Sequence, residues 1–72
     1  MKHMTFNERV GKNLRNLRLE HDLSMRDLAD RLGTTDIKIC RIENGGVKLS
    51  LEDAIRIADL FDISLDKLVE QI

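Results

Sequence analysis

Besides the carboxylates, the side chains suited to nucleophilic, base or metal-ligand chemistry are Cys40, the single cysteine, and the two histidines, His3 and His21. A zinc site needs several Cys, His or carboxylate ligands at close spacing. Neither histidine has a cysteine or carboxylate partner at such spacing, so no metal and no other cofactor is expected. Pairing Cys40 with His21 as nucleophile and base leaves the base without an orienting group and without a glycine-rich elbow. The chain is therefore not expected to be an enzyme. What remains is recognition chemistry, concentrated in Asp36-Ile37-Lys38-Ile39-Cys40-Arg41. Arg41 has the fork to hydrogen-bond guanine O6 and N7, or alternatively a phosphate. Ile37 suits a thymine methyl or a protein surface. Asp36 can accept from cytosine N4, or simply favour a helix start through the dipole. Lys38 reads as a phosphate anchor or a base contact.

These side chains converge only if 35–43 is a helix crossed by another. The chain reads as five short helices, each opened by a hydroxyl residue able to cap free backbone N–H groups: Thr5, Ser24, Thr35, Ser50 and Ser64. Glu8, Asp27 and Asp53 follow three residues after their caps, which is capping-box spacing. Apolar stripes at i, i+3, i+4, i+7 spacing run through Phe6-Val10-Leu14-Leu17, Met25-Leu28-Ala29-Leu32, Leu51-Ala54-Ile55-Ala58-Phe61 and Leu65-Leu68-Val69-Ile72. No segment alternates with period two, so no sheet is expected. Gly33 and Gly45 stand where the second and third helices end. Ala29 is small enough for the third helix to cross close to the second, and Gly33 permits the tight bend. With Ile39 and Ile42 turned inward, about 100° per residue puts Ile37, Cys40, Arg41 and Asn44 outward, Asp36 and Lys38 on opposite flanks, and Glu43 inward.

The 72 residues suit one domain, 1–72, with Met1–Met4 expected to be disordered or left over from expression and Met4 as the native start. Aromatic content is 3%, too little for base-stacking RNA modules. No run approaches a membrane span, no secretory signal is visible, and a lone cysteine forms no internal disulfide, so a cytoplasmic protein is expected. No small-molecule pocket is evident. The net charge of −1 is poor for a nucleic-acid binder if evenly spread, but it is not evenly spread: residues 1–48 sum to +3 and residues 49–72 to −4.

The stretch Ser24-Met25-Arg26-Asp27-Leu28-Ala29-Asp30-Arg31-Leu32-Gly33, then Thr34-Thr35 and Ile39-Cys40-Arg41-Ile42-Glu43-Asn44-Gly45, resembles the Cro/lambda-repressor-like (Xre) helix-turn-helix family. Ile57 to Leu68 resembles the family's fourth and fifth helices, and the likeness runs from about Val10 to Leu68. It implies an all-α, compact five-helix domain with the helix-turn-helix in helices 2 and 3. It also implies a transcriptional regulator, a repressor by preference, binding double-stranded DNA as a homodimer on an inverted-repeat operator. A DNA-binding antitoxin or restriction–modification controller, and a protein-interaction module that keeps the fold without DNA binding, are the alternatives. The resemblance assigns base contacts to Asp36, Ile37, Lys38 and Arg41, phosphate contacts to the start of helix 2 at Met25, to Thr35 and to Lys48, and a partly buried structural pair to Arg18 and Glu43. Cys40 and Asn44 would face the groove, with Cys40 either a redox-sensitive thiol or a plain small side chain. Of the helix 5 stripe, Leu65 and Leu68 are expected inward, and Val69 and Ile72 toward a partner copy. Three departures stand out: Met25 where Gln is frequent, Asp36 at a base-reading position, and Leu49 and Asp62 where Pro and Gly are frequent.

Overall fold

A computed structural model describes residues 3–70. Within them lie five helices and no strand: α1 (Phe6–Glu20), α2 (Met25–Leu32), α3 (Asp36–Glu43), α4 (Leu51–Phe61) and α5 (Leu65–Val69). Isolated helices of five to eight residues are marginal in water, so capping and packing must carry them. All five expected caps form: the hydroxyls of Thr5, Ser24, Thr35, Ser50 and Ser64 accept from the backbone N–H three residues on, at 2.9 to 3.2 Å. Glu8 and Asp27 complete reciprocal capping boxes. Asp53 departs from that expectation: its carboxylate goes to the ammonium of Lys38 instead.

Leu14, Leu28, Ile39, Ile57 and Leu68, one from each helix, are the large fully buried side chains, with Val10, Ala29 and Ile42 beside them. Three sequence expectations need correcting. The α4 stripe turns about its axis: Ile57, Ala58 and Phe61 are buried, whereas Leu51 and Ile55 lie on the surface. Phe6 is exposed, with the Arg9 guanidinium over its ring. Leu65 also faces outward, because the short α5 spends its inward position on Leu68. Asp62 takes the left-handed conformation (φ 54°) that closes α4, a conformation aspartate adopts more readily than most residues other than glycine.

The end of α5 is tied to α1 by polar bonds. Asn13 Nδ2 donates to the carbonyls of Leu68 (2.7 Å) and Glu70 (2.9 Å), and Arg9 Nε donates to that of Val69 (3.1 Å). These satisfy carbonyls that a helix C-terminus leaves without partners. Among the described residues, every buried side-chain nitrogen and oxygen has a hydrogen-bond partner.

Candidate nucleic-acid interface

The unit formed by α2, the turn and α3 is built from its smallest residues outward. Ala29 is fully buried, which lets α3 cross close over α2. Gly33 takes φ 69°, and the Thr34 N–H returns to the Ala29 carbonyl at 2.9 Å, so α2 stops and the chain reverses direction. Thr35 restarts it as the α3 cap, its hydroxyl oxygen accepting from the Lys38 N–H at 3.2 Å. That leaves the Thr35 O–H proton as a donor toward solvent.

Three fasteners fix α3 against α1. Arg18 Nε and Nη2 donate to the two Glu43 carboxylate oxygens at 2.7 and 3.1 Å, and Arg18 Nη1 donates to the Leu23 carbonyl at 2.9 Å. Both side chains are buried, and the Glu43 bonds raise the Arg18 pKa above its ordinary value. Gly11 lies so close to α3 that a β-carbon there would sit 2.1 Å from the Ile42 carbonyl oxygen. Gly45 turns at φ 73° against Glu8, where an added β-carbon would meet the Glu8 Cα at 2.9 Å. Gly11 and Asn13 were not singled out in the sequence, and Asp53 was singled out only as a capping-box residue. Asn13 had a signal, a polar residue inside the Val10-Leu14-Leu17 stripe, which demands buried partners. Gly11 had none, since only the position of α3 reveals its role.

With Ile39, Ile42 and Glu43 buried, the opposite face of α3 is left open. Ile37 is 63% exposed, Asp36, Arg41 and Asn44 are exposed, and Cys40 is half-buried with the Asn44 amide donating to its Sγ at 3.5 Å. Arg41 makes no salt bridge among the described residues. Lys38 differs from its neighbours: its Nζ lies 3.1 Å from Asp53 Oδ2 of α4, so its ammonium is drawn aside from the open face. Met25 is half-buried against the core, which leaves only its backbone N–H available at the α2 start. Lys48 is exposed in the loop after α3. Acidic groups intrude on the same region, Asp30 pairing with Arg26 at 3.7 Å and Asp36 standing exposed.

Away from this face, Phe6, Leu49, Leu51, Ala54, Leu65 and Val69 line an apolar groove between α1, α4 and α5. Val69 is half-buried and lines this groove. Ile72 lies outside the described residues. Among the described residues, no cluster of three or more His, Cys, Asp or Glu side chains is arranged to hold a metal, and no helix is long and apolar enough to cross a membrane.

Comparison with known proteins agrees with this geometry. A helix-turn-helix family profile matches residues 14–68. An HTH-type transcriptional regulatory protein of Pyrococcus abyssi is 39% identical over 57 residues, which is 79% of this chain and 18% of that protein. The chain thus spans about a fifth of the length of the curated relatives it matches. The restriction–modification controller protein C.AhdI of Aeromonas hydrophila superposes with a TM-score of 0.78 at 30% identity, covering 85% of this chain and 92% of that one. The Fe(II) form of HppE contains the same fold within a longer chain, with a TM-score of 0.83 at 28% identity, covering 92% of this chain and 35% of that one. The profile covers most of the chain, in which Ala29, Ile39 and Ile42 are buried where α3 crosses α2: the chain belongs to the Xre-like helix-turn-helix family.

Proposed function

We propose that this domain binds double-stranded DNA sequence-specifically and regulates transcription, laying α3 in the major groove. One observation carries the reading: α3 is locked from behind by Arg18–Glu43 and Gly11, while its front presents Ile37 and Arg41 to solvent, Arg41 without an ion-pair partner among the described residues. An eight-residue helix is about 12 Å long, and a major groove about 12 Å wide admits it. In this reading Arg41 hydrogen-bonds a guanine edge, Ile37 meets a thymine methyl and Asp36 reads an exposed amino group. Lys38, held by Asp53, reaches a phosphate or a base edge only by leaving that carboxylate. The Met25 N–H, the Thr35 hydroxyl and Lys48 hold phosphates, and Cys40 and Asn44 face the groove floor.

A single copy, 35 × 24 × 23 Å, carries one such helix. Reading two major grooves on one face of DNA, about 34 Å apart, takes two copies, which fits a homodimer on an inverted repeat. The apolar groove around Leu51, Leu65 and Val69 is the surface proposed for that contact. Occlusion of a promoter then gives a cytoplasmic repressor, with no bond-making chemistry in the domain. The regulatory function of the Pyrococcus relative and the controller function of C.AhdI support this class. A controller of restriction–modification genes uses the same face and differs only in what it regulates.

A second reading is favoured by the acidic intrusions Asp30 and Asp36: a module that contacts protein instead of DNA. Substitution separates the two. Arg41→Ala is expected to cost about 1–3 kcal/mol on the preferred sequence and to relax one base position, whereas Lys48→Ala weakens all sequences alike and lowers the salt slope by about 1. Duplex binding that is absent, or indifferent to salt, favours the protein-contact module.

A further inference from the structure

The two cations of α3 are treated differently by the fold. Arg41 has no carboxylate partner among the described residues, while Lys38 Nζ is held 3.1 Å from Asp53 Oδ2. Asp53 is firmly mounted: it is the third residue of α4, its N–H is bonded to the Ser50 hydroxyl at 3.1 Å, and its side chain is only 27% exposed. Lys38 reaches it on four rotatable bonds from the first turn of α3, the end of the helix that faces DNA in the proposed reading. The Asp53 carboxylate therefore occupies the ammonium that a phosphate would otherwise contact. The Lys38 ammonium, followed by the Ser50 hydroxyl, holds the Asp53 pKa below the usual carboxylate range, so Asp53 stays ionised at neutral pH. A charge that is already neutralised within the protein releases no additional counterions when DNA binds.

Resting on the DNA-binding reading, we propose that Asp53 is a positioning residue that competes with DNA phosphate for the Lys38 ammonium and thereby withholds one sequence-independent contact from every duplex. The device limits affinity for random DNA without touching the base-reading face, and it explains why Asp53 forgoes the capping-box bond that Asp27 makes.

The test uses a random-sequence 20-bp duplex of about two helical turns, followed by fluorescence anisotropy over a range of NaCl concentrations. Wild type is compared with Asp53→Asn, Lys38→Ala and the double variant, and Asp53→Ala repeats the comparison without an amide. Far-UV circular dichroism on each variant verifies folding. One restored phosphate contact steepens the slope of log K against log[salt] by about 0.9, which corresponds to about eightfold tighter binding at 0.1 M salt. Lys38→Ala is accordingly expected to change wild-type binding by less than about twofold, yet to cost about eightfold, with the slope falling by about 0.9, when Asp53 is Asn. Equal costs of Lys38→Ala in both backgrounds overturn the proposal while leaving the DNA reading intact, since that is what a general field effect gives. A folded wild type with no salt-sensitive duplex binding overturns both.

Discussion

Truncating one partner of the Arg18–Glu43 pair is the substitution with the largest consequence that the fold predicts. The pair is bidentate at 2.7 and 3.1 Å, and the two side chains are 8% and 1% exposed. Arg18→Met leaves the Glu43 carboxylate buried without its cation, and breaking a buried pair in this way costs about 3–5 kcal/mol. The whole domain, at roughly 0.05–0.15 kcal/mol per residue, has about 4–11 kcal/mol to lose. The single variant should therefore melt at least about 12 °C below wild type, given about 4–8 °C per kcal/mol for a domain of this size. Replacing both partners, Arg18→Met with Glu43→Leu, removes the stranded charge and should recover most of the loss, because well-packed apolar pairs equal or exceed buried ion pairs. Urea and thermal unfolding followed by circular dichroism on wild type, each single variant and the double variant read this directly. A single-variant loss under about 1 kcal/mol, the size of an exposed pair, would refute the reasoning. So would a double variant no more stable than the singles, since the cost would then lie in lost packing and not in an unpaired charge.

Further outcomes follow from the same contacts. Gly11→Ala places a β-carbon 2.1 Å from the Ile42 carbonyl, so α1 and α3 must separate; unfolding should show a loss at the upper end of the about 1–3 kcal/mol typical of overpacking, and an unchanged midpoint would contradict the close approach. Asp27 and Asp53 have folded pKa values below the 3.8 of a free aspartate, Asp27 mainly through the Ser24 backbone N–H and Asp53 mainly through Lys38. The unfolded chain then binds more protons near that pH, so this stability is fully present above 3.8 and is lost as pH falls through the folded values; the melting temperature should drop on the acid side, and Asp27→Asn should flatten the drop. Leu51, 70% exposed on the proposed dimer groove, should on change to Asp shift sedimentation toward the single-copy mass without altering the helical spectrum, and an unaltered mass would remove this groove from the dimer contact.

Local rules made much of this fold legible in the sequence. A cap joins residues three apart, so Thr5, Ser24, Thr35, Ser50 and Ser64 could be recognised without knowing what the helices pack against. The same holds for the bends at Gly33 and Gly45, whose left-handed backbone favours glycine wherever the rest of the chain lies. With Ile39 and Ile42 taken as the inner stripe, helical geometry alone turned Glu43 inward as well. The face of α4 was not legible, because Leu51, Ala54 and Ile55 compete with Ile57, Ala58 and Phe61 for the core, and only the packing of α2 and α5 decides between them. Gly11 and the Lys38–Asp53 pair were hidden for the same reason: each depends on the distance between two helices remote in sequence. Within the candidate site, the open face of Ile37, Cys40, Arg41 and Asn44 was readable, and the lateral pull on Lys38 was not.

The claim that the front of α3 reads DNA is tested most directly by selection from a randomised duplex pool with the purified protein at moderate salt. The account predicts enrichment of an inverted repeat whose half-sites lie about one helical turn, roughly 34 Å, apart. A folded protein that enriches no sequence would contradict it, and would turn attention to a protein partner for the face formed by Ile37, Cys40 and Arg41.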